Sequence, residues 1–226
     1  MESSTIRYRI SYNRLMRMAE LADLSGVPAA TIKWYLREGL LPKGEATARN
    51  QARYDEAHVR RLRLIRALVE VGGLTTEQTR GILALMDDPD VPLAAVIGAT
   101  HGALARPGAG SATPETIAMV DEYLERRNWP VDPRSPARAE LAGLLATMQS
   151  FQPTSATDKS AILSGLDPYA AAVEAIATEE VGGIPSDAPR ELVLEYIVLG
   201  TVLAERTLGS LRRLAQEAQY CRTLAH

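Results

Sequence analysis

"TIKWYLREGLLPKGE", residues Thr31 to Glu45, sets a lysine, a tryptophan and a tyrosine side by side on a short helix-forming run, then breaks at Gly39 into an apolar hinge, Leu40-Leu41-Pro42. At about 100° per residue, Ala29, Ile32 and Leu36 share one side of that helix. Ala30, Trp34 and Arg37 point away from it, and Lys33 and Tyr35 flank it. The inward set is sufficient to pack on a neighbouring helix. The outward set, with Thr31 in the first turn, offers a small residue for close approach, cations for phosphate or guanine, and aromatics that reach a nucleic-acid backbone. Trp34 and Tyr35 have a second reading as core aromatics. The flanking residues favour contact: a polar stretch carries Arg49, Asn50, Gln51 and Arg53, and an arginine-rich helix comes next.

Working outward, a first helix is expected over Met18 to Leu24, the turn "SGVP" follows, and the second helix runs over Ala29 to Glu38. Two short helices joined by a glycine-containing turn make a helix-turn-helix, whose second helix enters the major groove. Lys43 to Tyr54, punctuated by Gly and Asn, predicts a small hairpin. Asp55 is a good N-cap for a third helix that carries Val59, Leu62, Ile65 and Val69 inward as far as Gly72-Gly73. Thr75 with Gln78 forms a capping-box pattern for a fourth helix through Met86. On the third helix, Arg60 and Arg61 are assigned to phosphate, with a solvated face as the alternative, and Arg63 and Arg66 to interdomain packing. His58, in its first turn, is assigned to the surface. Ile6, Tyr8, Ile10 and Tyr12 alternate with polar residues at period two, which is strand-like.

The charge divides as the motifs do. The chain of 226 residues has a formal net charge of −3. Residues 1 to 81 hold 14 Lys+Arg against 9 Asp+Glu, net +5, whereas residues 82 to 226 hold 11 against 19, net −8. A basic N-terminal third points to a nucleic-acid surface there and to another task for the rest. The single cysteine, Cys221, excludes an intramolecular disulfide and a multi-cysteine zinc site, and a reducing cytoplasm is expected. His58, His101 and His226 are scattered, so neither a metal nor a cofactor is expected. The longest apolar stretch, Leu192 to Ala204, is too short to span a bilayer and contains Glu195, so no membrane association is expected. Gly108-Ala109-Gly110 follows no strand, and no P-loop, metalloprotease helix or serine elbow is present, so catalysis is not expected.

Beyond the fourth helix, residues 89 to 104 are weakly helical, interrupted by Pro89, Pro92, Gly98 and Gly102, and Ala105 to Pro114 reads as a linker. Helices follow over 114–128, 136–150, 157–181 and 188–220. This acidic region holds Tyr123, Trp129, Phe151, Tyr169 and Tyr196, with Glu195 inside an apolar stretch. Such a set either lines a pocket for an amphipathic or cationic effector or forms the core of the domain.

"MAELADLSGVPAATIKWYLREGLLP" followed by "NQARYDEAHVRRLRLIRALVEVGGLTTEQTRGIL" closely resembles the N-terminal domain of the MerR family of bacterial transcription regulators, over about residues 17 to 86. The resemblance implies a mostly α fold, with an N-terminal winged helix-turn-helix, a small β-hairpin wing and a C-terminal all-helical domain. It divides the chain into an extension (1–16), the DNA-binding domain (17–88), a connector (89–113) and a helical effector-binding or dimerisation domain (114–226). It implies a homodimer on a pseudo-palindromic double-stranded DNA operator, distorting a promoter so that RNA polymerase engages or stalls. Lys33 lies where the family usually has arginine, Trp34 and Tyr35 where it has two aromatics, and Tyr35 is expected to meet phosphate. The family's wing reads Gly-Tyr-Arg-x-Tyr. Here it reads Asn50-Gln51-Ala52-Arg53-Tyr54, with the arginine shifted by one, and Tyr54 is preferred as a packing residue. The family's long dimerisation helix should follow the fourth helix, where this chain is broken by proline and glycine. Pairing is therefore expected in the C-terminal helices, notably Pro189 to Tyr220. The alternatives are a constitutive architectural DNA binder whose C-terminal domain only dimerises, and a protein-interaction module whose basic face meets an acidic partner.

Overall fold

The computed structural model describes residues 15–48, 51–105, 111–151, 159–184 and 188–224. Among them are nine α-helices and one two-stranded antiparallel hairpin, the mostly helical fold with a small wing that the sequence predicts. The strand-like start at Ile6 to Tyr12 lies outside the described residues, as do Arg49 and Asn50. The chain divides into two compact units, residues 1–83 and 84–226.

In the first unit, α1 (Met18–Ser25) packs on α2 (Ala29–Arg37) and on α3 (Glu56–Arg66). The turn between the first two is fixed locally. The Ser25 hydroxyl donates to the Leu21 carbonyl at 2.6 Å and accepts from the Val27 N–H at 3.3 Å. Gly26 takes the left-handed conformation (φ 67°) that closes α1, and Pro28, with its preset φ, opens α2. α2 ends in a Schellman arrangement: Leu40 N–H returns to the Tyr35 carbonyl at 2.9 Å, Gly39 N–H to the Leu36 carbonyl at 3.4 Å, and Gly39 has φ 72°. The turn drives Leu40 and Leu41 into the core, where both are fully buried.

The hairpin pairs β1 (Glu45–Ala48) with β2 (Gln51–Arg53), Glu45 opposite Arg53 and Ala46 opposite Ala52, with an irregularity before Ala48. Met16 and Tyr54 exchange backbone hydrogen bonds of 2.7 and 2.9 Å, which lays the start of the described chain along the wing's base. Asp55 caps α3, accepting the His58 N–H at 3.2 Å while His58 Nδ1 accepts the Asp55 N–H at 3.2 Å. His58 therefore belongs to a capping box with a largely buried ring, not to the surface. α3 passes without a break into a π-helical turn, Ala67–Val71, before α4 (Thr76–Asp87). Arg63 donates to the Leu24 carbonyl and Arg66 to both Glu70 oxygens, so both bonds stay inside the first unit instead of serving interdomain packing.

The second unit contains α5 (Leu93–Leu104), α6 (Pro114–Arg126), α7 (Pro136–Phe151), α8 (Lys159–Gly182) and α9 (Arg190–Leu224). α5 is a regular helix where only weak helix was predicted. Its Gly102 is a packing residue, since a Cβ there would lie 3.2 Å from the Pro136 ring at the start of α7. α6 packs on α7 and α8 around Met119, Val120, Tyr123, Leu145 and Leu163, and α5 packs on α9. The first half of α9 buries Leu194, Val198 and Val202; every residue from 210 to 223 is exposed. No helix among the described residues is long and apolar enough to cross a membrane.

Candidate nucleic-acid interface

α2 and the wing stand side by side and enclose a groove of about 660 Å³ lined by Arg17, Lys33, Arg53 and Gln51 together with apolar and backbone surface. Three cations and no carboxylate face this space. Glu45, opposite Arg53 on the ladder, is not among the lining residues. Cations converging in a concavity with apolar walls concentrate positive potential there, and the ligand that potential attracts is a polyanion.

The structure places the predicted residues unequally. Ala30, Lys33 and Arg37 are exposed along the outer face of α2, with Thr31 and Trp34 half-buried beside them. Tyr35 turns inward and is 5% exposed, its ring centroid 5.3 Å from that of Trp34. Ile32 and Tyr35 are the buried pair of this helix, and Leu36 rotates onto the groove wall. The inward arc thus centres three residues apart, not four. Burial raises the Tyr35 phenol above its usual range, the Glu70 carboxylate raises it further, and the Arg66 guanidinium partly opposes both. Tyr54 is also buried, against Gly44 at the base of the wing. Arg60 is half-buried, and Arg61 gives its Nε–H to the Leu40 carbonyl at 3.1 Å, bracing the hinge.

Two arginines escaped the sequence reading. Arg17 lies on the groove because the Met16–Tyr54 bridge brings it there, and only the period-two alternation upstream signalled an extended approach. Arg80, on α4, bonds Glu38 at the end of α2, a pairing across 42 residues for which the sequence carries no local signal.

The six residues grouped as an effector set do not share one surface. Tyr123 is 3% exposed and donates to Asp167 at 3.1 Å, whereas Phe151 is 84% exposed at the end of α7. Tyr169 on α8 and Tyr196 on α9 are exposed, and Glu195 is half-buried. Trp129 gives its Nε1–H to Glu174 at 3.0 Å and borders an apolar shelf formed by Val173, Ala177 and Val181 of α8. Among the described residues, no group of three His, Cys, Asp or Glu is arranged to hold a metal ion.

A helix-turn-helix followed by a hairpin wing, with a cationic groove between them, defines a winged DNA-reading module. The family model of the "MerR HTH family regulatory protein" matches residues 16–85. A relative, the mercuric resistance operon regulatory protein of Bacillus cereus, is 37% identical over 71 residues, which are 31% of this chain. The match spans only 53% of that relative's length. Among solved structures, the "putative transcriptional regulator SCO5550 from Streptomyces coelicolor A3(2)" is similar with a TM-score of 0.71 and 32% identity, over 92% of this chain and 97% of that one. The chain belongs to the MerR family of transcription regulators.

Proposed function

We propose that this protein binds double-stranded operator DNA through α2 and the wing, and that the second unit pairs two copies so that the site is a pseudo-palindrome. The carboxylate-free groove lined by Arg17, Lys33 and Arg53 carries this reading. In it, Ala30, Lys33, Trp34 and Arg37 approach the base edges, and Gln51 and Arg53 of the wing meet the flanking backbone. Tyr35 packs α2 against the core and sets how far its outer face protrudes. By likeness to its family, the dimer distorts an over-spaced promoter and thereby controls its use by RNA polymerase. The exposed outer half of α9, with Leu211 and Leu214 on one side of it, is the surface proposed for pairing.

Genome-fragment selection with the purified protein, followed by salt-titrated binding to the winning fragment, tests the proposal. Recovery of a pseudo-palindrome between promoter elements supports it; weak, sequence-blind binding sinks the operator claim. Lys33→Ala should weaken operator binding and reduce the slope of log affinity against log salt by about one unit, the share of one neutralised phosphate. An unchanged slope would remove Lys33 from the interface.

The dispersal of Tyr123, Phe151, Tyr169 and Tyr196 over separate surfaces favours a second reading, in which the second unit only dimerises and binding is constitutive. A small-molecule panel separates the two. Ligand-dependent operator affinity supports effector control, and indifference to every ligand supports the constitutive form.

A further inference from the structure

The ion pair between Glu38 and Arg80 has no part in the groove, and the fold does not need it for burial: the two side chains are 34% and 48% exposed. Pairs so exposed add little stability. Its geometry is more specific than its energy. Arg80 gives its Nε–H to the Glu38 backbone carbonyl at 3.2 Å and a terminal N–H to the Glu38 carboxylate at 3.2 Å. One planar guanidinium therefore grips the main chain and the side chain of the same residue, which fixes rotation as well as distance.

Glu38 is the C-cap of α2. Carbonyls at a helix C-terminus lack intrahelical donors and carry the negative end of the helix dipole, so cations settle there. Tyr35 and Leu36 carbonyls are satisfied by the turn itself. The next acceptors, Glu38 and Leu40, receive Arg80 from α4 and Arg61 from α3. The end of the recognition helix is thus tied from two helices, and one of them, α4, runs past residue 83, where the first compact unit stops.

We propose that Arg80 is a positioning residue for operator recognition: it makes the orientation of α2 follow that of α4, so that any force acting on α4 reaches the base-reading face. The proposal rests on the DNA-binding reading and is tested by two measurements, one of which needs no DNA.

In the full-length protein, Arg80→Ala should speed hydrogen exchange at the amides of residues 38 to 41, because the hydrogen bonds that close α2 lose their brace. It should also lower the ratio of operator affinity to random-duplex affinity by about tenfold, within the usual range of coupling between sites. The random-duplex affinity, the salt slope and the thermal midpoint should stay near those of the parent. Arg80→Lys, which keeps the charge but not the double grip, should restore the parent salt behaviour without restoring the ratio. Unchanged exchange at residues 38 to 41 overturns the proposal, as does an unchanged ratio. Equal loss on both duplexes with a salt slope lower by about one unit also overturns it, because Arg80 is then a phosphate contact. If the parent protein selects no operator, the DNA-binding reading fails, and the exchange measurement alone decides whether Arg80 holds α2.

Discussion

Lys33 and Tyr35, two positions apart on α2, have opposite fates: the ammonium lies on an exposed groove and the phenol ring in the core. The sequence made Lys33 legible because a cation on an amphipathic helix stays at the surface in any packing. It left Tyr35 ambiguous, because a flank position turns in or out with a small rotation of the whole helix. Asp55 was legible for a simpler reason, since an N-cap acts on its own next turn. Its carboxyl lies below the usual carboxylate range: burial alone would raise it, but hydrogen bonds to the His58 side chain and N–H outweigh that. A depressed folded value means that the stabilisation is complete above the ordinary carboxylate range and is lost as pH falls through that folded value. Asp55→Ala should therefore cost about 1 kcal/mol at neutral pH in urea titrations. The gap between variant and parent should narrow below about pH 4, near the ordinary carboxylate value. A gap that persists at low pH would remove the carboxylate from the cap.

At the scale of elements, the helices of the first unit were legible from their apolar period and end signals, and the wing from its turn residues. α5 was underestimated because glycine reads as a breaker in a bare sequence, whereas Gly102 serves close approach to Pro136. The π-helical turn after α3 had no signal, since its cause is how the surrounding helices seat Leu68 and Leu74, both buried. The wing's own constraint is Gly44. A Cβ there would meet the Arg53 carbonyl at 2.5 Å and the Tyr54 ring at 2.8 Å. Gly44→Ala should force the hairpin away from its base, at a strain of about 1–3 kcal/mol. Operator affinity should fall while helical circular dichroism is retained. Full affinity in this variant would show that the wing's seat is unimportant to binding.

For the whole molecule, the basic first unit and the acidic second one separate the two tasks that the proposal gives them. The sequence located that division of charge but misjudged which part of α9 is free. Its apolar first half is occupied by α5, and the exposed outer half carries Leu211 and Leu214, at 57% and 61% exposure. Replacing both by glutamate should convert a dimer into a monomer in sedimentation equilibrium. Losing the second half-site should then cost about 10²–10⁴ in operator affinity, the usual gain from linking two binding modules. A dimer that survives the double replacement would move the pairing surface elsewhere. The π-helical turn also sets a rule for the chain as a whole. A π turn holds more residues than an α turn, so a shortening by one residue within Ala67–Val71 would leave a continuous helix but swing the start of α4 by about 100°. Arg80 would swing with it, away from Glu38. At these five positions spelling can vary, but the count of letters cannot.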